Sequence, residues 1–122
     1  MRNGTRIPGA MEIRERAEGA LTVVELAGRF TVTDPPGLLK DAVTAAVDRG
    51  ARHVLLDLSG VRYIDSTRLG ELIAAHVNVN RRGSSLKLVA TPPRIVELLS
   101  MAGLDDVFQR FDSIGEATKH LG

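Results

Sequence analysis

The chain has 122 residues, 43% of them hydrophobic, enough for a single domain that buries about two-thirds of its unfolded surface without a metal or disulfide. Sixteen basic and fifteen acidic residues leave a formal net charge of +1, and aromatics make up 3%, so neither the electrostatic footprint nor the stacking side chains of a nucleic-acid binder are present. With no cysteine, disulfides, thiolate nucleophiles and thiolate metal sites are excluded; no run approaches the ~18 to 20 apolar residues of a membrane span, and a cytoplasmic protein is expected.

Residues 1–10 carry Asn3-Gly4 and Pro8-Gly9, with neither an apolar period nor the apolar core of a signal peptide. They are expected to form a flexible tail ahead of a domain spanning 11–122, with Met11 an alternative natural start. A strand from Met11 through Arg16, a turn at Glu18-Gly19 and a second strand from Leu21 to Leu26 predict a hairpin, broken or bulged at Ala27-Gly28-Arg29-Phe30. Asp34-Pro35-Pro36-Gly37 reads as a helix start: Asp caps, and proline is tolerated in the first turn. Leu38, Leu39, Ala42, Val43, Ala46 and Val47 form its apolar face, and Gly50 ends it.

The run from His53 to Leu58 reads as a buried parallel strand, followed by a turn at Ser59-Gly60-Val61. Leu69, Leu72, Ile73, His76 and Val77 then follow the stripe of an amphipathic helix that stops at Arg81-Arg82-Gly83. Leu86 to Val89 gives a fourth strand, Thr91-Pro92-Pro93 opens a helix closed by Gly103, and Phe108 and Phe111 anchor a short extended segment before a last helix from about Ser113. Strands alternating with helices predict an α/β domain.

Asp65-Ser66-Thr67 lies where the third strand passes into its helix. The simplest role for Ser66 is to cap that helix. The alternative is chemical, because a phosphate there would meet unpaired N–H groups and the positive end of the helix dipole. No nucleophile elbow, P-loop or paired-histidine zinc motif occurs, and His53, His76 and His120 fall on separate elements, so no enzyme is expected. His76 within the apolar stripe reads as a hydrogen-bonded core histidine. Asp57 and Asp65 read as turn and cap residues in preference to a Mg²⁺ site, and no cofactor or metal is expected.

Leu56-Asp57-Leu58-Ser59-Gly60-Val61-Arg62-Tyr63-Ile64-Asp65-Ser66-Thr67-Arg68-Leu69-Gly70 resembles the signature of STAS domains, the bacterial anti-sigma factor antagonist family. The resemblance runs over nearly all of 11–121, through Met11-Glu12-Ile13-Arg14, Leu26-Ala27-Gly28-Arg29 and Ala102-Gly103-Leu104-Asp105. It implies a small mixed sheet of about four to five strands with helices packed on it, and phosphorylation of Ser66 by an anti-sigma factor that is also a serine kinase. The unphosphorylated form would bind that kinase and free its sigma factor, the phosphorylated form would let go, and a PP2C-type phosphatase would reset it. Asp65, Ser66, Thr67, Arg68 and Asp34 would form the partner-binding switch of a monomer or weak dimer. Arg68 stands where the family often has glycine, beside the serine a kinase must reach, so Arg68→Gly is expected to quicken phosphorylation. The alternatives are a STAS scaffold or transporter-associated subunit without phosphotransfer, and a nucleotide-binding or hydrolysing enzyme.

Overall fold

The computed structural model describes residues 2–6, 11–32 and 36–121. Its centre is a mixed sheet whose six strands lie side by side in chain order. Strands β1 (Arg2–Arg6), β2 (Met11–Glu18) and β3 (Leu21–Phe30) pair antiparallel; β4 (His53–Ile64), β5 (Ser85–Val89) and the two-residue β6 (Arg110–Phe111) continue parallel to β3. Parallel neighbours need a crossover, and each gap supplies a helix: α1 (Leu38–Asp48), α2 (Ser66–Arg81) and α3 (Pro93–Met101), with α4 (Ile114–Thr118) after β6.

Period-2 alternation divides the strands between two apolar clusters. Val24 and Leu26 of β3, Val54, Leu56 and Leu58 of β4, and Leu86 and Leu88 of β5 face the main core with α1, α2 and α3. Val23, Leu55 and Val89 face the other way, under Ala117 of α4. Phe108 enters the main core and Phe111 the smaller cluster, so the two aromatics anchor the C-terminal segment to opposite faces. The mixed α/β sheet with helices packed on it is the architecture expected from the sequence, but it has six strands in place of about four to five, the short β1 and β6 lying at its two edges.

Several elements differ from the expectation in extent or in the face they bury. The stretch read as a tail carries β1, an edge strand paired with β2 from Arg2↔Arg16 to Arg6↔Glu12; such pairing is made by backbone groups and needs no apolar period. Helix α1 starts at Leu38, with Gly37 at φ 84° as its N-cap, while Asp34 and Pro35 of the expected start lie outside the described residues. Strand β4 runs through the turn expected at Ser59-Gly60-Val61 and on to Ile64. Val77 is 43% exposed, because at 100° per residue it lies about 140° around the helix from Leu72, whereas Ala75 and Val79 complete the buried stripe.

Deleting residues 1–10 is expected to leave the melting temperature within about 5 °C of the intact chain, a shift of roughly 1 kcal/mol. All eight residues of β2 are already laddered to β3 without β1. A thermal melt of both proteins checks this, and a much larger drop would make β1 an integral strand.

Candidate functional site

Beyond Leu58, β3 and β4 stay paired through two register shifts, between Glu25 and Ala27 and between Gly28 and Arg29. Gly60 permits the close approach: a Cβ there would lie 2.9 Å from the Ala27 Cβ and 3.1 Å from the Leu26 carbonyl oxygen. The paired strands end at Phe30↔Ile64, and the Asp65 N–H still donates to the Phe30 carbonyl at 3.1 Å. This long pairing delivers the chain to the start of α2.

Asp65 makes that start. Its backbone is extended (φ −90°, ψ 172°), and its Oδ1 accepts from the Arg68 N–H at 2.8 Å, capping the helix. Oδ2 accepts from the Val32 N–H at 2.7 Å, so one carboxylate ties the end of β3 to the first turn of α2. Ser66 is therefore the first helical residue and not the cap. It is exposed, as is Thr67, and its hydroxyl makes no hydrogen bond among the described residues. Nor do the N–H groups of Ser66 and Thr67, the first-turn donors an anion would meet.

Arg68 does not stand beside Ser66 in solvent. Its side chain is 8% exposed, its Nε donates to the Thr31 carbonyl at 3.0 Å, and its guanidinium forms an ion pair with Glu71, itself 10% exposed. The second Glu71 oxygen accepts from the Lys40 N–H at 2.9 Å. Glycine at 68 would leave the buried Glu71 carboxylate without its ion-pair partner, so Arg68→Gly is also expected to lose stability. Asp34 lies outside the described residues.

Around this helix start stand residues that no local pattern singled out. Val32 is 61% and Tyr63 41% exposed, and the Arg29 guanidinium lies 4.7 Å from the Tyr63 ring centroid. Glu71 was detectable in principle, as an acidic residue three positions after Arg68 on one helix face. Val32 was not, because its exposure depends on where the β3–α1 connection lies.

Asp57 and Asp65 serve separate ends. The Asp57 Oδ1 accepts from the Ser59 N–H at 3.0 Å, and its side chain borders a polar cavity with Glu12, Arg14 and Glu25. No group of three His, Cys, Asp or Glu among the described residues is arranged to hold a metal ion. His53 pairs its Nδ1 with the Ser85 hydroxyl at 2.8 Å. The His76 ring packs 4.7 Å from Phe108, with its Nε2 3.1 Å from the Asn80 side-chain nitrogen.

Burial, with the Lys87 charge, lowers the His76 pKa below 6.5. The folded state then binds less proton than the unfolded one between the two values, so stability falls as pH drops from 6.5 toward the lowered pKa. His53, lowered by burial, Lys87 and Arg52, acts in the same direction. Urea titrations between about pH 7.5 and 5 are expected to show this decline, and His76→Leu to shrink it. An unchanged slope in His76→Leu would remove His76 as a source.

A family model described as "Mlab, STAS domain" matches residues 13–111. The chain belongs to the STAS-domain family. This STAS domain is 32% identical over 84 residues to the anti-sigma-B factor antagonist of Bacillus subtilis (strain 168), a match covering 69% of the chain and 75% of that protein. Its fold is similar to the crystal structure of an anti-sigma factor antagonist from Mycobacterium paratuberculosis, with TM-score 0.78 and 22% identity over 94% of this chain and 97% of that one. It is also similar to Bacillus SpoIIAA in its phosphorylated form, with TM-score 0.68 and 15% identity over 93% and 100% of the two chains. Among the described residues, no helix of this STAS domain is long and apolar enough to cross a membrane.

Proposed function

We propose that this STAS domain is a cytoplasmic anti-sigma factor antagonist switched by phosphorylation of Ser66. One observation carries the reading: the helix is capped by Asp65, leaving the Ser66 hydroxyl exposed and unbonded among the described residues at the first position of α2. A phosphate added there gains the helix dipole and breaks no folding contact, so the domain keeps its fold while its surface changes by about −1.5 to −2 charges. Asp65 beside it adds repulsion toward any acidic group brought close. The unphosphorylated surface binds an anti-sigma factor serine kinase and frees its sigma factor; phosphorylation ends the contact, and a PP2C-type phosphatase restores it. The domain acts as substrate and switch, not as catalyst.

The test is phosphopeptide mapping after incubation with candidate anti-sigma kinases of the same genome, ATP and Mg²⁺. Phosphate on Ser66, abolished by Ser66→Ala, is the expected result. The second reading is a scaffold or transporter-associated subunit without phosphotransfer. Absence of phosphate with every kinase would select it.

A further inference from the structure

The chain leaves β5 and β6 toward opposite faces of the sheet. Helix α3, which follows β5, packs Ile95 and Leu99 into the main apolar cluster, whereas α4, which follows β6, sets Ala117 in the smaller one. Neighbouring parallel strands whose connections diverge in this way open a crevice beyond their carboxyl ends, the place where open α/β sheets take ligands. A cavity of about 320 Å³ lies there, lined by Thr91, Val96, Arg110, Phe111 and Asp112. An apolar groove of about 580 Å³ adjoins it through Thr91 and Val96 and follows α3 to Met101. Neither contains a residue of the Ser66 site, because β4 continues from Asp57, its last pairing with β5, as far as Ile64 before α2 begins.

Three features of this crevice are not explained by folding. Ala90, which turns the chain out of β5, is the one non-glycine among the described residues with a positive φ, 53°, a left-handed backbone that side chains disfavour and that persists where its surroundings impose it. Its N–H donates to the Phe111 carbonyl at 2.9 Å, which ties the strained residue to the cavity wall. The Oγ1 of Thr91 beside it is buried with no hydrogen-bond partner among the described residues, an arrangement that costs stability unless something else fills it. Arg110 and Asp112 bring opposite charges to the same cavity, yet neither has an ion-pair partner among the described residues. In the adjoining groove Met101 is 74% exposed, and Glu97 at the edge is already paired with Arg94 at 2.7 Å.

We propose that this crevice binds a free α-amino acid with an apolar side chain. The ligand carboxylate pairs with the Arg110 guanidinium and accepts from the Thr91 hydroxyl, the ligand ammonium donates to Asp112, and the ligand side chain lies along Val96 toward Met101. A zwitterionic head satisfies an unpaired cation and an unpaired anion that stand side by side; a simple acid leaves Asp112 without a partner, and a simple amine leaves Arg110 without one. Asp105 borders the far end of the groove, so an amino acid carrying a second carboxylate is rejected there. The site is independent of the antagonist reading.

Proton–nitrogen NMR titration of the full chain tests it, with L-leucine and L-phenylalanine as ligands and hydrocinnamate, phenethylamine and L-glutamate as comparisons. Both apolar amino acids are expected to give saturable shifts at the amides of Thr91, Val96, Arg110 and Asp112 while those of Ser66 and Thr67 stay still. The acid, the amine and glutamate should each bind at least about tenfold more weakly than L-phenylalanine, and Arg110→Gln and Asp112→Asn should each weaken L-phenylalanine by a similar factor, since each removes a hydrogen bond between charged groups. Thr91→Val, which keeps the shape and removes the hydroxyl, should weaken it about threefold or more. No saturable shift with either apolar amino acid in the wild-type chain overturns the site. Acid or amine bound as tightly as L-phenylalanine overturns the zwitterion assignment, as does unchanged affinity in both charge variants. The wild-type arms decide the assignment by themselves, so a variant that failed to fold would not spare it.

Discussion

Leu72→Ala is expected to lower the unfolding free energy by about 2 to 5 kcal/mol. Leu72 is 1% exposed and lies in the main apolar cluster, where α2 meets the sheet and α1. Truncation there loses the transfer free energy of the side chain and leaves a cavity that a parallel sheet, held on both sides, has little freedom to close. Val77→Ala on the same helix is the control: 43% exposed, it is expected to change stability by no more than about 0.5 kcal/mol. Urea unfolding of the pair measures both, with the midpoint moving and the slope constant in Leu72→Ala. A loss below about 1 kcal/mol there, or a larger one in Val77→Ala, would refute the face that α2 turns to the sheet.

Those two residues also mark how much of the molecule could be read before folding. Leu69 and Leu72 belong to the buried stripe, and periodicity reports them because a 3.6-residue repeat places them over the sheet. Val77 fits the same repeat only when it is counted from Leu69 and His76, and the packing of Ala75 and Val79 rotates it outward. The order of strands and helices from β2 to β5 was legible for a similar reason, since each of these strands carries its own apolar residues and each helix its own breaker, whereas β1, which has none, was read as a tail. Strand β4 overran its expected end because Ser59-Gly60 resembles a turn in isolation. It is instead the place where a glycine lets Ala27 of β3 come close.

The site was legible as a string and not as a geometry. Asp65-Ser66-Thr67 stood out by its position between strand and helix, but which of the three caps depends on backbone conformation, and Asp65 is the one held extended. Arg68 read as a surface departure from the family signature because the carbonyl that holds its side chain lies at Thr31, 37 residues earlier. Contacts of that range carry no local signal. Val32 was missed for the same reason, since its amide is bonded across 33 residues to Asp65.

The largest functional effect is expected at Ser66. Both Ser66→Ala and Ser66→Asp should fold, because the hydroxyl caps nothing: removing it costs less than the ~0.5 to 2 kcal/mol of a lost cap, and a carboxylate at the first helical position meets a favourable dipole. Binding should separate them. A charge that the free domain leaves in water must be desolvated when the anti-sigma partner covers it; if that costs about 3 to 4 kcal/mol, affinity falls by roughly two to three decades. Ser66→Ala should bind without regard to kinase activity. Ser66→Asp, with one charge and a planar carboxylate, should fall between it and protein phosphorylated in vitro, whose added charge is about −1.5 to −2. Titration calorimetry of the three proteins against the kinase identified by Ser66 mapping measures the order. Equal affinity of phosphorylated and unphosphorylated protein would end the switch model, since phosphorylation at Ser66 would then leave binding unchanged.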